Sequence, residues 1–239
     1  MKLKEQVFDS PGYTTEVKLK RDELSLLHFF VEQSMLLRIN EVYRAAGLSN
    51  YHTINHHFLF SDKETRLLNI SYVGKVKNFC LFKTLKRELG EFYISPVIFN
   101  RRIIRSREEV YWRIVRPNAE SDVAEIHADT WHHGLFNDAY GTLLKSDEYT
   151  LKLWIPIVVE PGLSGLAVVP DSHKQSWPTK KIELLNRSKI ELADEVTPIL
   201  LETEPGQCVI FNDHLLHVGA LNRGSKTRVS AEITLIFKR

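Results

Sequence analysis

The C-terminal segment of the chain alternates between apolar and polar positions with a period of two. The apolar positions are Val229, Ala231, Ile233, Leu235 and Phe237. The polar positions are Arg228, Ser230, Glu232 and Thr234. This period predicts a half-buried strand with one face on a core. We expect the other face to carry a guanidinium and a hydroxyl group toward the polar mouth of a barrel.

Further strand patterns precede this segment. The predicted strands cover residues 93–99, 108–116, 123–129, 149–159, 165–170, 207–211, 215–219 and 227–237. Eight short strands after a helical lead-in predict a mainly β fold, a double-stranded β-helix of the jelly-roll or cupin-like type that helices buttress. Residues 172–204 are expected to form an irregular or partly helical insertion, either a lid over the barrel mouth or a solvated loop.

The first ninety residues show helical spacing instead. Apolar residues recur on one stripe from Arg21 to about Ala46, with Gly47 as the stop. Ser61 predicts a helix start, because Glu64 three residues later can complete a capping box. A last helix is predicted over residues 76–89, ended by Gly90.

Length and composition indicate one domain over residues 1–239, with a mainly helical support section at 1–92 and the barrel core at 93–239. The 239 residues are 43% hydrophobic, enough for a sizeable core. The formal net charge of +2 and the lack of basic clusters interleaved with aromatics argue against a nucleic-acid partner. The oligomeric state stays open.

The lengths of the apolar runs and the number of cysteines indicate in which cellular compartment the protein is expected. No apolar run reaches the ~20 residues of a membrane helix, and the N-terminal residues lack the apolar core of a secretory signal. The two cysteines, Cys80 and Cys208, lie in apolar surroundings and are expected to be reduced. We therefore expect a cytoplasmic protein without a membrane partner.

Candidate metal ligands begin with His127 and Asp129. Residues two apart on an extended strand project from the same face, so these two side chains can bind one cation. A third ligand can come from His217 or, three residues earlier, from His214. Two histidines and one carboxylate leave positions open for a co-substrate and O₂, as in non-haem Fe(II) oxygenases.

Arg228 is the candidate anchor for an anionic co-substrate. A guanidinium can hold a carboxylate through two parallel hydrogen bonds, and Ser230 on the same face can assist, so a dicarboxylate such as 2-oxoglutarate fits. Arg113 is a further candidate for contact with the co-substrate or the substrate. Thr142 and Lys145 are alternatives that the sequence does not rank against Ser230.

These motifs stand within ordered blocks that extend over roughly residues 108–237. The blocks are residues 111–117, 126–131, 153–156, 164–174, 205–211, 217–222 and 228–230. In this order they resemble the phytanoyl-CoA dioxygenase-like branch of the Fe(II)/2-oxoglutarate-dependent oxygenases. The pattern favours His217 over His214, because of its spacing to Arg228. It departs at Asp171, where the family commonly has glycine, and a left-handed turn residue is expected there.

The resemblance implies an activity and a set of site residues. His127, Asp129 and His217 would be the catalytic Fe(II) ligands, with Arg228, Ser230 and Arg113 binding 2-oxoglutarate. The expected reaction is hydroxylation of an unactivated C–H bond of a small metabolite, with release of succinate and CO₂. A step in natural-product or surface-glycan biosynthesis is an example of such an activity. Halogenation is disfavoured, since related halogenases replace the carboxylate ligand with a small residue.

Two other classes remain as alternatives. A metal-dependent, cupin-like isomerase or epimerase could use the same ligands, but it would not need Arg228 and Ser230. A non-catalytic barrel that binds a metal or ligand is the third possibility.

Some neighbouring residues have open roles. His132 and His133 could contact substrate or face solvent, and His173 is expected to bond to backbone. Trp131 and Trp154 could wall the pocket or belong to the core.

Overall fold

The computed structural model describes residues 3–43, 71–74, 79–99, 102–131, 144–184 and 187–239. The helices are α1 (Leu3–Phe8), α2 (Arg21–Tyr43) and α3 (Cys80–Leu89). The first strands are β1 (Tyr13–Lys18), β2 (Ser71–Gly74), β3 (Phe92–Ile94), β4 (Pro96–Phe99), β5 (Arg102–Val115), β6 (Glu148–Val158) and β7 (Leu166–Val168). The others are β8 (Thr179–Leu184), β9 (Arg187–Leu192), β10 (Ile199–Leu200), β11 (Gln207–Asn212), β12 (His217–Gly219) and β13 (Arg228–Lys238).

The described part of the chain forms a large sheet, a small sheet and a separate two-stranded sheet of β8 and β9. The large sheet has the order β1-β11-β6-β13-β5-β2, with β3 also paired to β13 and β4 to β5. The small sheet has the order β10-β7-β12. All of these pairings are antiparallel. The fold is a double-stranded β-helix of the jelly-roll type with helices against one sheet, as the sequence predicts.

Each face of the large sheet has its own apolar core. On one face, alternate residues of β6 and β13 pack with residues of the three helices. On the other face, Trp154, Val209 and Phe211 of the large sheet pack with Leu166 and Val168 of the small sheet. Because side chains alternate along a strand, the polar residues of β6 and β13 project into the space between the two sheets.

Helix α3 closes part of the helix-side core. Its buried residues are Leu81, Phe82, Leu85 and Leu89, which lie on one face at helical spacing. The helix ends at Gly90, as predicted; the φ of 105° at Gly90 is accessible mainly to glycine. The start predicted at residue 76 is wrong, because Phe79 is extended and the helix begins at Cys80.

Several predicted strands differ from the observed ones. The strand predicted at 93–99 is divided into β3 and β4 at Ser95, and the strand predicted at 108–116 begins earlier, at Arg102. The prediction of a strand over 123–129 is wrong. Glu120–Asp122 forms a 3₁₀ turn, and the residues after it make only one bridge, between His127 and His217.

The insertion at 172–204 is also corrected. It contains a β-hairpin of β8 and β9, paired with each other over six residue pairs, and the short β10, which joins the small sheet. The insertion has many charged residues, which hid the apolar and polar alternation of its strands in the sequence. The support section at 1–92, expected to be mainly helical, also contributes strands to the large sheet, since β1 pairs with β11 and β2 with β5.

Some predictions fall outside the described residues. These are the stop at Gly47, the helix start at Ser61 and the roles of His132, His133 and Thr142. Within the described ranges, no helix has the length and apolar character needed to span a membrane.

Candidate metal centre

His127 and His217 are joined directly through their backbones. The N–H of His127 donates to the oxygen of His217 at 3.1 Å, and the N–H of His217 donates to the oxygen of His127 at 2.9 Å. This bridge adds His127 beside β12 at the edge of the small sheet. The two rings consequently lie close together, with their centroids 4.5 Å apart.

Asp129 completes a group of three potential ligands. Its Oδ2 lies 3.5 Å from His217 Nε2. One ligand atom from each of His127, Asp129 and His217 lies within 4.8 Å of the others. The sequence argument for His127 and Asp129 assumed a regular strand, whereas Asp129 lies in a turn after the single bridge. Local backbone geometry, and not strand alternation, brings the carboxylate to the histidines.

Backbone carbonyl groups orient both imidazole rings. His127 Nδ1 lies 2.7 Å from the oxygen of Glu125, and His217 Nδ1 lies 2.9 Å from the oxygen of Leu215. A carbonyl oxygen only accepts, so each Nδ1 carries the proton and each Nε2 keeps its lone pair. This is how metal-binding histidines are commonly held. The donor set of two imidazole nitrogens and one carboxylate fits Fe(II).

Burial and neighbouring charges shift the pKa values of these groups. Burial, together with the nearby His217, lowers the pKa of His127 and favours the neutral ring. Burial opposes the ionisation of Asp129, but Lys152 and the two histidines outweigh it and hold the pKa of this carboxyl well below its usual range. These shifts favour neutral His127 and ionised Asp129, the forms that bind a metal.

His214 lies apart from this group. Its side chain is 64% exposed, whereas that of His217 is 7% exposed. The structure thus brings His217, and not His214, to His127 and Asp129.

Arg228 lies in a narrow buried recess between the sheets. Its guanidinium donates through Nη1 to the oxygen of Gly165 and lies over the ring of Trp154, at 6.0 Å from the centroid. A Cβ atom at Gly219 would lie only 2.8 Å from Arg228 Nη2. Glycine at this position therefore leaves the space that the guanidinium occupies.

Two polar atoms in this recess have no hydrogen-bond partner. They are Arg228 Nε and Ser230 Oγ, and both residues are buried. A buried polar atom without a partner is costly, so a ligand that satisfies both atoms is expected to bind here. Burial lowers the pKa of Arg228 to about 10, and the group stays charged at neutral pH. A carboxylate fits both the charge and the two donors.

Asn222 fixes the turn that leads into β13. Its Nδ2 donates to the oxygens of Val115 and Lys226, and its Oδ1 accepts from the N–H of Gly224. This network holds the backbone that positions Arg228.

Arg113 and Lys145, whose roles the sequence left open, lie in different surroundings. Arg113 is opposite Ser230 in the sheet, but its guanidinium pairs with Glu232 at 3.4 Å and lies over the ring of Tyr111. Glu232 raises the pKa of Arg113, which the pairing explains. Lys145 is exposed, and its backbone N–H donates to the side chain of Glu148. Glu148 is opposite Lys238 in the sheet register, at the other end of β13 from Arg228. That separation of ten residues is roughly 33 Å along a strand, which makes Lys145 an unsuitable support.

Lys152 is the site residue that sequence reasoning missed. Its Nζ lies 3.3 Å from Asp129 Oδ1 and donates to Thr234 Oγ1 at 3.0 Å. A signal for it existed, because Lys152 is a charged residue between two leucines of β6 and shares the face of Trp154.

Three minor expectations have clear outcomes. The His173 ring bonds to the backbone oxygen of Phe8 at 3.2 Å, which confirms its structural role. Asp171 has the predicted left-handed backbone, with a φ of 64°. Trp154 is buried in the core between the sheets and also contacts Arg228, so it fulfils both suggested roles.

One protein family matches the part of the chain that contains the candidate metal ligands. The profile of the phytanoyl-CoA dioxygenase (PhyH) family matches residues 114–230. Residues 114–230 form a phytanoyl-CoA dioxygenase family domain. The family consists of Fe(II)- and 2-oxoglutarate-dependent oxygenases, which assigns the chain to that enzyme class, with iron and 2-oxoglutarate as its cofactors. No curated protein sequence matches the chain.

Solved structures align with this chain at low identity, and one of them has a TM-score above 0.5. The apo form of the non-haem monooxygenase ThoJ aligns with a TM-score of 0.53 and 12% identity, over 99% of this chain and 79% of that one. EctD from S. alaskensis with bound Fe aligns with a TM-score of 0.49 and 18% identity, over 96% and 74% of the two chains. EvdO2 from Micromonospora carbonacea var. aurantiaca aligns with a TM-score of 0.48 and 13% identity, over 71% and 67%.

Proposed function

We propose that this PhyH-family chain is a hydroxylase of an unactivated C–H bond in a small metabolite, with 2-oxoglutarate converted to succinate and CO₂. The observation that carries the proposal is that Gly219, two residues after the candidate ligand His217 on β12, borders the guanidinium of Arg228, whose Nε has no partner. A non-catalytic metal site would not need a buried guanidinium next to it. A cupin-like isomerase would not need one either.

In this proposal His127, Asp129 and His217 hold Fe(II). The proton on each histidine Nδ1 is bound by a backbone oxygen, so each Nε2 is aimed with a fixed ring orientation. When bound, Fe(II) with 2-oxoglutarate supplies O₂ activation for C–H oxidation, and the protein supplies orientation and exclusion of side reactions. Two histidines and one carboxylate would leave the remaining metal positions for co-substrate and O₂.

Arg228 and Ser230 are proposed to hold the distal carboxylate of 2-oxoglutarate. In this recess, the buried atoms Arg228 Nε and Ser230 Oγ lack a partner, and they belong to alternate residues on one face of β13. Trp154 beneath the guanidinium and Gly219 beside it fix the position of Arg228. A carboxylate bound there would be shielded from water, which strengthens its pairing with the guanidinium.

The substrate is proposed to be a small, polar, free metabolite. EctD of S. alaskensis has been solved with 2-oxoglutarate and 5-hydroxyectoine, a small molecule of this kind. The partly exposed pair of Arg113 and Glu232 on the same sheet face could contact such a molecule. A pathway in natural-product or surface-glycan biosynthesis stays a prediction.

A cytoplasmic setting is part of the proposal. Cys80 and Cys208 are both free thiols, as expected of a reducing compartment.

Calorimetric titration with 2-oxoglutarate under anaerobic conditions tests the proposal. We expect saturable binding to Fe(II)-loaded protein and much weaker binding to metal-free protein, because the 2-oxo acid end needs the metal. Succinate, which lacks the 2-oxo group, is the matched control and should bind weakly in both cases. Equal binding of 2-oxoglutarate with and without metal would contradict the proposal.

A further inference from the structure

The two oxygens of the Asp129 carboxylate have different partners. Oδ2 faces the histidine nitrogen that keeps its lone pair, at 3.5 Å from His217 Nε2. Oδ1 faces the ammonium of Lys152, at 3.3 Å. One carboxylate oxygen thus faces the candidate metal ligand His217, and the other faces the ammonium of Lys152.

The sheet determines the position of Lys152. Lys152 on β6 is in register with Thr234 of β13 and with Phe211 of β11. The ammonium donates to Thr234 Oγ1 at 3.0 Å, so it is fixed from two sides. The side chains of Lys152 and Asp129 are only 18% and 19% exposed, and solvent screens such a pair much less than it screens a surface pair.

Resting on the proposed function, we propose that Lys152 is a positioning residue that keeps Asp129 a one-oxygen ligand. Carboxylates can bind a metal through one oxygen or through both. With Oδ1 held by Lys152, only Oδ2 is presented to the metal. A six-coordinate metal with three single-atom protein ligands would keep three positions open. A 2-oxo acid that chelates through two atoms needs two of them, and O₂ needs the third.

Loss of the ammonium should therefore separate metal binding from co-substrate binding. In Lys152→Met the carboxylate would be released to bind through both oxygens. Metal affinity should stay within about threefold of wild type or increase, since no ligand is lost and a cation is removed. The affinity for 2-oxoglutarate should fall by about tenfold or more, because one of its positions is taken.

The test uses Co(II) as a spectroscopic probe and 2-oxoglutarate as the ligand. The visible absorption of Co(II) responds to coordination number, so Lys152→Met should differ from wild type before any co-substrate is added. Lys152→Arg keeps a cation and should restore most of the wild-type spectrum and 2-oxoglutarate affinity. Lys174→Met is the matched control, because it removes an exposed lysine outside the ligand group. The Nζ of Lys174 pairs with Asp171 Oδ1 at 2.7 Å. This variant should behave as wild type.

Thr234→Val provides a second, milder variant if Lys152→Met does not fold. It removes the other partner of the ammonium and should shift the Co(II) spectrum in the same direction by a smaller amount. A wild-type spectrum and wild-type 2-oxoglutarate affinity in Lys152→Met would overturn the proposal. Loss of metal binding in that variant would also overturn it, since Lys152 would then hold the carboxylate for the metal itself.

Failure of this inference is distinguishable from failure of the proposed function. If wild type binds Co(II) but shows no metal-dependent affinity for 2-oxoglutarate, the oxygenase proposal fails. If wild type binds both and Lys152→Met does the same, only the role of Lys152 fails.

Discussion

His127 and His217 are 90 residues apart in the chain, yet each donates its backbone N–H to the carbonyl oxygen of the other, at 3.1 and 2.9 Å. The same bridge that extends the small sheet therefore sets the separation of two imidazole rings. The backbone pairing of His127 with β12 thus also brings these two candidate ligands together. Catalytic geometry in this chain rests on backbone hydrogen bonds as much as on side chains.

The first prediction concerns Arg228. Replacement with alanine should raise the dissociation constant for 2-oxoglutarate by roughly 100-fold, since a buried charge-assisted pair is lost. Fe(II) affinity should change little, because Arg228 contacts none of the three proposed ligands among its described partners. Anaerobic calorimetry of both ligands measures this separation.

Arg113→Ala is the matched variant for Arg228→Ala. Arg113 is engaged with Glu232, so its loss should alter 2-oxoglutarate affinity by only a few-fold. If Arg113→Ala were the more damaging of the two substitutions, the assignment of the anchor to Arg228 would be wrong.

Gly219→Ala tests the recess around the guanidinium. The added Cβ would meet Arg228 Nη2 at 2.8 Å, closer than real Cβ contacts, so the guanidinium must move. We expect 2-oxoglutarate affinity to fall by about tenfold while Fe(II) affinity stays near wild type. Unchanged affinity for 2-oxoglutarate would show that the position of the guanidinium is not critical.

The two cysteines should differ strongly in reactivity. Burial raises the pKa of the Cys208 thiol to about 12, so its reactive thiolate is almost absent at pH 8. Cys80 is only partly buried, and its sulfur accepts a hydrogen bond from Lys20 Nζ at 3.2 Å. A disulfide exchange reagent should therefore titrate one thiol in the native protein and two after unfolding.

The Cys80→Ser variant identifies the reactive thiol. It should show almost no native reaction at pH 8, and reaction of Cys208 should appear only as the pH rises toward 12 or when the protein unfolds. Equal rates for both thiols in native wild type would contradict the burial of Cys208.

Strict alternation was the reliable signal in this sequence. It predicted β13, placed Arg228 and Ser230 on the same face and assigned the apolar residues of that strand to the core, as observed. The same rule failed around Asp129, where a turn and not a strand brings the carboxylate to the histidines. The alternation was also not recognised in β8 and β9, because their many polar residues are typical of a loop.

Long-range contacts could not be predicted from local patterns. Nothing near Lys152 in the sequence indicates that its ammonium meets Asp129, since the contact depends on how β6 faces the turn after His127. The pairing of Arg113 with Glu232 likewise depends on the register between β5 and β13. Periodicity gives the face of a strand, but the sheet register decides which side chains meet across it.

The most direct test of the oxygenase assignment is an anaerobic titration of the protein with Fe(II) and then 2-oxoglutarate, followed by visible absorption. A 2-oxo acid that chelates ferrous iron gives a weak charge-transfer band. We predict this band in wild type and in His214→Ala, whose side chain is exposed, and its loss in His217→Ala. Metal binding without the band in wild type, or a band that survives in His217→Ala and disappears in His214→Ala, would contradict the account.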